Sequence, residues 1–354
     1  MRKYYLDNIR WFVVVLVLIN HVVSIFSSCG ALMSYNAPGI PAFDLIGYFI
    51  YPWFMPCLFV TAGISARYSL IKRSSKEFIG ERTKRLLISF ISYMVLVGPF
   101  AADLSFKVNH SEEMFAALPD FVIFLIKIVN GMGPAWFLLQ LYALSFCLLL
   151  FKKIDKKDRL FKLFEKCTLP ILLLLYIPVL GAAQILNVAY TFRNMLYLLL
   201  FLLGYTVFSQ EKVMELLKKY GLPLLGVGLL AGIAQTWVSW GIPYQKAVNH
   251  WLVILYTWLM ILAVIGVSAR FFNFSNHFTE YMNRHSFGLY LFHYVPMVYL
   301  AYVLTTWTTL PQSAVYLLVL AGSFLAAVLL SEICSRIPVI RTLFGYKIYS
   351  KTEN

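Results

Sequence analysis

Charge is what this sequence has least of. Only 13% of its 354 residues are Asp, Glu, Lys or Arg, and just sixteen are acidic. Soluble domains carry about 25% charge, so an ordinary water-facing surface cannot be built from this chain. Cysteine offers no framework either. The five, at positions 29, 57, 147, 167 and 334, form no C-x-x-C pair, which argues against a disulfide scaffold or a zinc site. No metal is expected. There is no internal repeat, no low-complexity tract and no linker long enough to divide domains.

Apolar sequence fills the space that charge leaves. The chain is 60% hydrophobic, with a mean hydropathy of +0.75. Apolar stretches of about 20 residues, the length that crosses a bilayer as a helix, recur from end to end. The reading is an all-α polytopic integral membrane protein of about ten transmembrane helices. These lie near 9–27, 43–66, 86–106, 135–151, 168–185, 191–208, 222–240, 250–268, 286–306 and 312–332. They form a single membrane domain over residues 1–354, with no separate soluble domain. The segment 107–134 is the longest break between spans, and its "FVIFLIKIVNG" is too short to cross, so an interfacial or re-entrant helix is expected.

A formal charge of +14 invites a nucleic-acid reading, but the placement of the charge does not. Of thirty Lys and Arg, 26 fall in alternate loops and both termini; the other four are Lys107, Lys127, Arg193 and Lys246. Basic residues mark cytoplasmic loops, so both termini are expected in the cytoplasm of a cell-membrane protein. Topology and attraction to anionic lipid account for the charge without nucleic acid. "MRKYY" and "SSCGA" can pass for the ends of a signal peptide. Asn20 and His21 interrupt its apolar region, and an uncleaved first span is the expectation.

Those two residues pose the functional question. At 100° per residue, Asp7, Arg10 and Ser28 each fall within about 40° of His21 on a helix, and His21 rises about 16 Å above Arg10. One helix would link a cationic cytoplasmic mouth to a titratable group in mid-membrane. Either His21 fixes packing against a neighbouring helix or it has a chemical role. Arg82 and Arg85, in "ERTKR", share a helix face. They satisfy the charge bias of an inner loop, or they form a guanidinium fork for phosphate. In "NRHSFGLYLFHYVPM", Ser286, Tyr290 and His293 follow i, i+4, i+7, a packing face or a polar one. In "GMGPAWFLLQLYAL", Trp136 suits an outer interface and Gln140 lies one turn further in.

Taken in order, these segments resemble the membrane acyltransferases of the acyltransferase-3 family. "LDNIRWFVVVLVLINH" is similar to the first span of that family, "MPCLFVTAGIS" to its second-span motif, and "RTKR" to its R-x-x-R. "AWFL" and "SFGLYLFH" resemble its Trp-Phe-Leu segment and its late Tyr-x-x-His. Cys57 and Thr61 stand where Phe or Ser is commoner, and Trp11 replaces a small residue, so the subfamily and the acyl group stay open.

The resemblance implies O-acyl transfer, usually O-acetylation, from cytoplasmic acyl-CoA, usually acetyl-CoA, to a hydroxyl of an extracytoplasmic glycan or glycoside such as an envelope polysaccharide. It implies His21 as general base with Arg10 and Asp7 beside it, and Arg82 and Arg85 as the coenzyme A clamp. Asn20, Trp136, Gln140, Tyr290 and His293 would be substrate-side or supporting residues. Membrane lipid and envelope polysaccharide assembly proteins are the expected partners. The rival readings are a transporter of a sugar, lipid or acyl compound with a midplane His/Arg site, and an inactive scaffold. No pair of broken helices in corresponding halves or inverted repeat favours the transporter.

Overall fold

The computed structural model describes residues 2–29, 32, 33, 35, 37–115, 117–188 and 192–346. Helices dominate it. Among the described residues the sole sheet is a two-stranded hairpin that pairs Asn187 with Arg193 and Val188 with Phe192. Among the described residues six helices are long and apolar enough to cross a membrane: Tyr4–Phe26, Pro41–Lys72, Gly133–Ile154, Glu211–Ser239, Trp251–Phe271 and Gln312–Arg336. Two bent pairs bring the count to eight if each crosses as one span. The two remaining expected spans correspond to shorter apolar helices, Leu169–Ala183 and Asn194–Thr206.

Proline explains both bends. Ser75–Leu96 meets Gly98–Val108 at 44°, and His277–Phe292 meets Tyr294–Trp307 at 60°. Pro99 follows the first break and Pro296 the second. A proline in a helix has no N–H for the carbonyl four residues back, and its ring crowds that carbonyl. The second break falls at His293.

The chain divides into two compact units. The first holds Met1–Ala31, Gly39–Ser75 and Leu144–Ser286; the second holds Leu32–Pro38, Lys76–Ala143 and Phe287–Asn354. In the first unit, the helices Phe54–Lys72 and Asn194–Thr206 touch backbone to backbone. A Cβ at Gly63 would collide with the Phe201 carbonyl, and one at Gly204 with the Val60 carbonyl. Small residues that let helices approach this closely are how membrane helices gain packing without a hydrophobic drive. Trp258, fully buried, donates to the Leu172 carbonyl at 3.0 Å and fixes Trp251–Phe271 against Leu169–Leu174.

In the second unit, Met33, Leu104, Val108 and Val298 form a core ringed by Tyr35, Tyr294, Tyr299 and Tyr302. The Tyr35 hydroxyl donates to the Val298 carbonyl at 2.9 Å. The segment 107–134 carries a helix, Asp120–Asn130, of only 11 residues, none of them buried. Lys127 on it pairs with Asp103.

Candidate active site

The candidate residues are divided between the two units. In the first unit, Asp7 and Arg10 lie on the opening turns of Tyr4–Phe26. Arg10 donates to Asp7 at 2.9 Å, and Arg2 donates to the other carboxylate oxygen at 2.9 and 3.1 Å. That end of the helix is anchored from far away in sequence. The Asn8 amide donates to the carbonyls of Phe272 and Phe274 at 2.7 and 3.0 Å, and Asn273 accepts from the Tyr5 amide at 3.2 Å. Trp11 reaches back to the Asn8 side-chain oxygen and meets Phe278 edge-on at 5.6 Å. Asn8 therefore sets where Asp7 and Arg10 sit, a role its place in the sequence did not signal.

His21 lies eleven residues beyond Arg10 on the same helix and is half-buried. The Val17 carbonyl, one turn back, is a hydrogen-bond partner for its ring. Beside it Asn20 is buried. Its amide nitrogen reaches the Ser24 hydroxyl at 3.4 Å, and its side-chain oxygen has no partner.

The expected polar stripe ends sooner than its arithmetic. The helix stops at Phe26, and Ser27 turns the chain into an extended conformation, so Ser28 is not in phase with His21. Ser28 instead serves Asp44, a carboxylate only 1% exposed on the first turn of Pro41–Ile50. It donates through its hydroxyl and, at 3.2 Å, its amide. The second Asp44 oxygen has no partner. Asp44 was missed by the motif reading, although a lone acid in an apolar run is a signal in itself.

In the second unit, Arg82 ends the α-helix Ser75–Arg82, and Arg85 lies in a π-helical turn, Thr83–Leu87. The Ile88 amide bonds the Thr83 carbonyl, a five-residue reach. The expectation that the two arginines share one face as on a plain α-helix is corrected here. The wider turn takes in an extra residue and spreads the pair around the axis. Arg82 lies over the Phe78 ring, 5.1 Å from its centroid. Both arginines are half-buried, which suits side chains with a charge to present and a stem to cover. The Thr83 hydroxyl lies 3.1 Å from that of Tyr142, tying the turn to the Trp136–Ile154 helix.

The C-terminal segment closes on this turn. Gly345, with φ of +62°, brings its backbone against Arg85 and Ser89. Tyr346 donates to Ser331 at 3.0 Å; burial pushes its phenol well above its ordinary pKa, so it stays a donor. Nothing in the motif reading pointed to these residues.

Tyr290 and His293 remain neighbours across the break, their rings 6.2 Å apart. The Tyr290 hydroxyl donates to the Pro134 carbonyl, and Phe137 packs edge-on against its ring at 5.7 Å. Trp136 lies beside Phe137 at 6.2 Å, so the Trp-Phe-Leu segment and the late Tyr-x-x-His meet. Gln140, one turn on, is half-buried. Among the described residues no group of three His, Cys, Asp or Glu is placed to hold a metal.

Polar groups that the motifs place on membrane helices suit a reaction that handles a charged donor and a proton. Residues 3–332 match the acyltransferase-3 family model, which describes an acyltransferase domain. The chain belongs to the acyltransferase-3 family. It is an acyltransferase with a multi-pass membrane fold, and an acyl donor is its co-substrate. No curated protein and no solved structure matches it.

Proposed function

We propose that this acyltransferase moves an acyl group, usually acetyl, from cytoplasmic acyl-CoA to a hydroxyl of an extracytoplasmic glycan or glycoside. It would sit in the plasma or inner membrane with ten spans and both termini cytoplasmic, beside proteins that assemble the envelope polysaccharide. The basic residues of the inner loops support this orientation. Arg82 and Arg85 then lie at the cytoplasmic face, where guanidinium forks suit the coenzyme's phosphates. Asp7 holds Arg10 at the start of the first helix.

The observation that carries the reading is His21, half-buried in mid-helix and about 16 Å along the axis from the Asp7–Arg10 pair. A neutral imidazole with its proton on the nitrogen facing Val17 carries its lone pair on the other. That lone pair takes the proton of the acceptor hydroxyl as the oxygen attacks the thioester carbonyl. The C–S bond breaks, and the departing thiolate recovers the proton from the imidazolium. The acceptor gains an ester and coenzyme A leaves as its thiol.

The test is acyl transfer in reconstituted membranes. Glutamine can replace a packing hydrogen bond but cannot act as a base, so His21→Gln loses on the order of 10²–10⁴-fold in turnover. Coenzyme A binding survives. Near wild-type turnover in a folded His21→Gln protein overturns the assignment.

A further inference from the structure

Among the described residues of the first unit, Arg193 is the only Lys or Arg that is almost completely buried, and it has no counter-charge. It is 2% exposed. Its Nη1 donates to the Val248 carbonyl at a long 3.4 Å, its guanidinium lies 5.6 Å from the centroid of Tyr197, and its Nε has no partner. Among the described residues no ion pair includes it. The sequence shows why. No acid occurs between Glu165 and Glu211 or between Glu215 and Glu280, the stretches that supply Arg193 and both of its contacts.

A buried guanidinium that has lost water and, among the described residues, gained a carbonyl and a ring is costly. A neutral side chain of similar size would fill the same space without that cost. Positive-inside bias does not explain it either, since Arg193 is among the four basic residues outside the inner segments. Two further features lie beside it along the chain. Arg193 immediately precedes the helix Asn194–Thr206, whose first amides present partial positive charge. The chain that supplies Val248 continues into Asn249, whose side-chain oxygen is also buried without a partner.

We infer that Arg193 anchors an oxyanion site, taking a carboxylate or phosphate group at the end of the first unit that holds residues 192–194 and 248–249. A planar guanidinium with an unused Nε–H matches two oxygens of such a group. The unpaired Asn249 oxygen would accept from a neighbouring hydroxyl of the same ligand. The site is distinct from the Arg82/Arg85 clamp, and its test needs no acyl transfer, so it stands or falls separately from the proposed reaction.

The experiment is thermal melting of the full chain in detergent, at constant ionic strength set with chloride. The probes are inorganic phosphate and glucuronate; a parallel arm uses phosphatidylcholine nanodiscs with and without phosphatidylglycerol. Wild type should show a saturable rise on the order of 2–4 °C with at least one probe. The responding probe names the source: a free phosphate, an acidic sugar or a lipid headgroup. Arg193→Gln should lose the rise and, without anion, melt no lower than wild type, because it buries no charge. Arg193→Lys should keep only a weakened response, and it serves if the Gln variant does not fold. Non-specific salt exclusion grows without saturating and acts on every variant equally. An adventitious ion only, recognised by a response that does not depend on Arg193, overturns the site. So does a wild type that responds to no probe.

Discussion

Arg10 Nη1 lies 2.9 Å from Asp7 Oδ1, one turn along the first helix, while Arg2 holds the other oxygen of the same carboxylate. Asp7 thus positions two guanidinium groups at once, and the three charges form one unit at the helix start. Arg10 is 44% exposed and Asp7 20%. An exposed pair of this kind adds about 0–1 kcal/mol of stability. Asp7→Asn should therefore barely move the melting temperature. If the pair aims Arg10 at the donor, transfer should fall on the order of 10- to 100-fold, the cost of small misplacement. Stability and turnover measured on one preparation separate the two effects, and a loss of stability without a specific loss of transfer would make the pair structural.

The π turn between Arg82 and Arg85 predicts that the two arginines are not equivalent. Arg82 has Phe78 beneath it at 5.1 Å, and Arg85 has the C-terminal segment against its backbone. Replacing either by Ala should weaken acyl-CoA binding, read by titration of the purified chain. Lys at either position should restore part of the affinity, because charge returns without the bidentate fork. Equal binding by wild type and the double Ala variant would remove the clamp.

Gly345 supplies an independent handle on the same turn. It has φ of +62°, and a Cβ there would lie 2.9 Å from the Arg85 Cα. Gly345→Ala adds the left-handed backbone penalty of about 1–2 kcal/mol and pushes on Arg85. Donor KM should rise with the Arg85 backbone displaced. Gly80, inside Ser75–Arg82 with open space around it, is the control. Gly80→Ala should raise stability by about 0.5–1 kcal/mol. A Gly345→Ala protein with unchanged donor KM and melting point would show that the tail does not bear on the clamp.

What was legible in the sequence was local. The Asp7–Arg10 pair is three residues apart on one helix, so periodicity alone places it. Tyr290 and His293 likewise stay together across a break that local spacing did not announce. What was not legible depends on partners hundreds of residues away. Asn8 acts through the carbonyls of Phe272 and Phe274, and no spacing rule joins positions so far apart. Ser28 was misplaced because helical phase was carried past Phe26, where the helix ends. The π turn at Thr83–Leu87 broke the same assumption. Asp44 and Arg193 were visible as charges in or beside apolar runs, but their significance lies in missing partners, which only the packed chain reveals. The family was legible because five short motifs occur in order, although no one of them is specific.

His293 is the other histidine among the candidate residues, and its surroundings argue for a structural role. It is fully buried at the break between two helices, and its Nδ1 lies 3.0 Å from the Leu289 carbonyl and 2.9 Å from the Tyr290 carbonyl. Two acceptors facing one ring nitrogen require that nitrogen to carry the proton. The proton is shared between the Leu289 carbonyl, which also receives the His293 amide at 3.3 Å, and the Tyr290 carbonyl beside the bend that Pro296 imposes. His293 is then a cap for the broken helix. Asn can present an amide N–H from a similar position, whereas Leu cannot. His293→Asn should stay within about 1 kcal/mol of wild type and keep most of its transfer activity. His293→Leu should lose about 1–3 kcal/mol, the cost of removing the ring N–H from a buried acceptor. The deciding comparison is His293→Asn against His21→Gln in the same transfer assay. If the Asn variant folds normally yet loses turnover as severely as His21→Gln, the cap reading fails and His293 belongs to the chemistry.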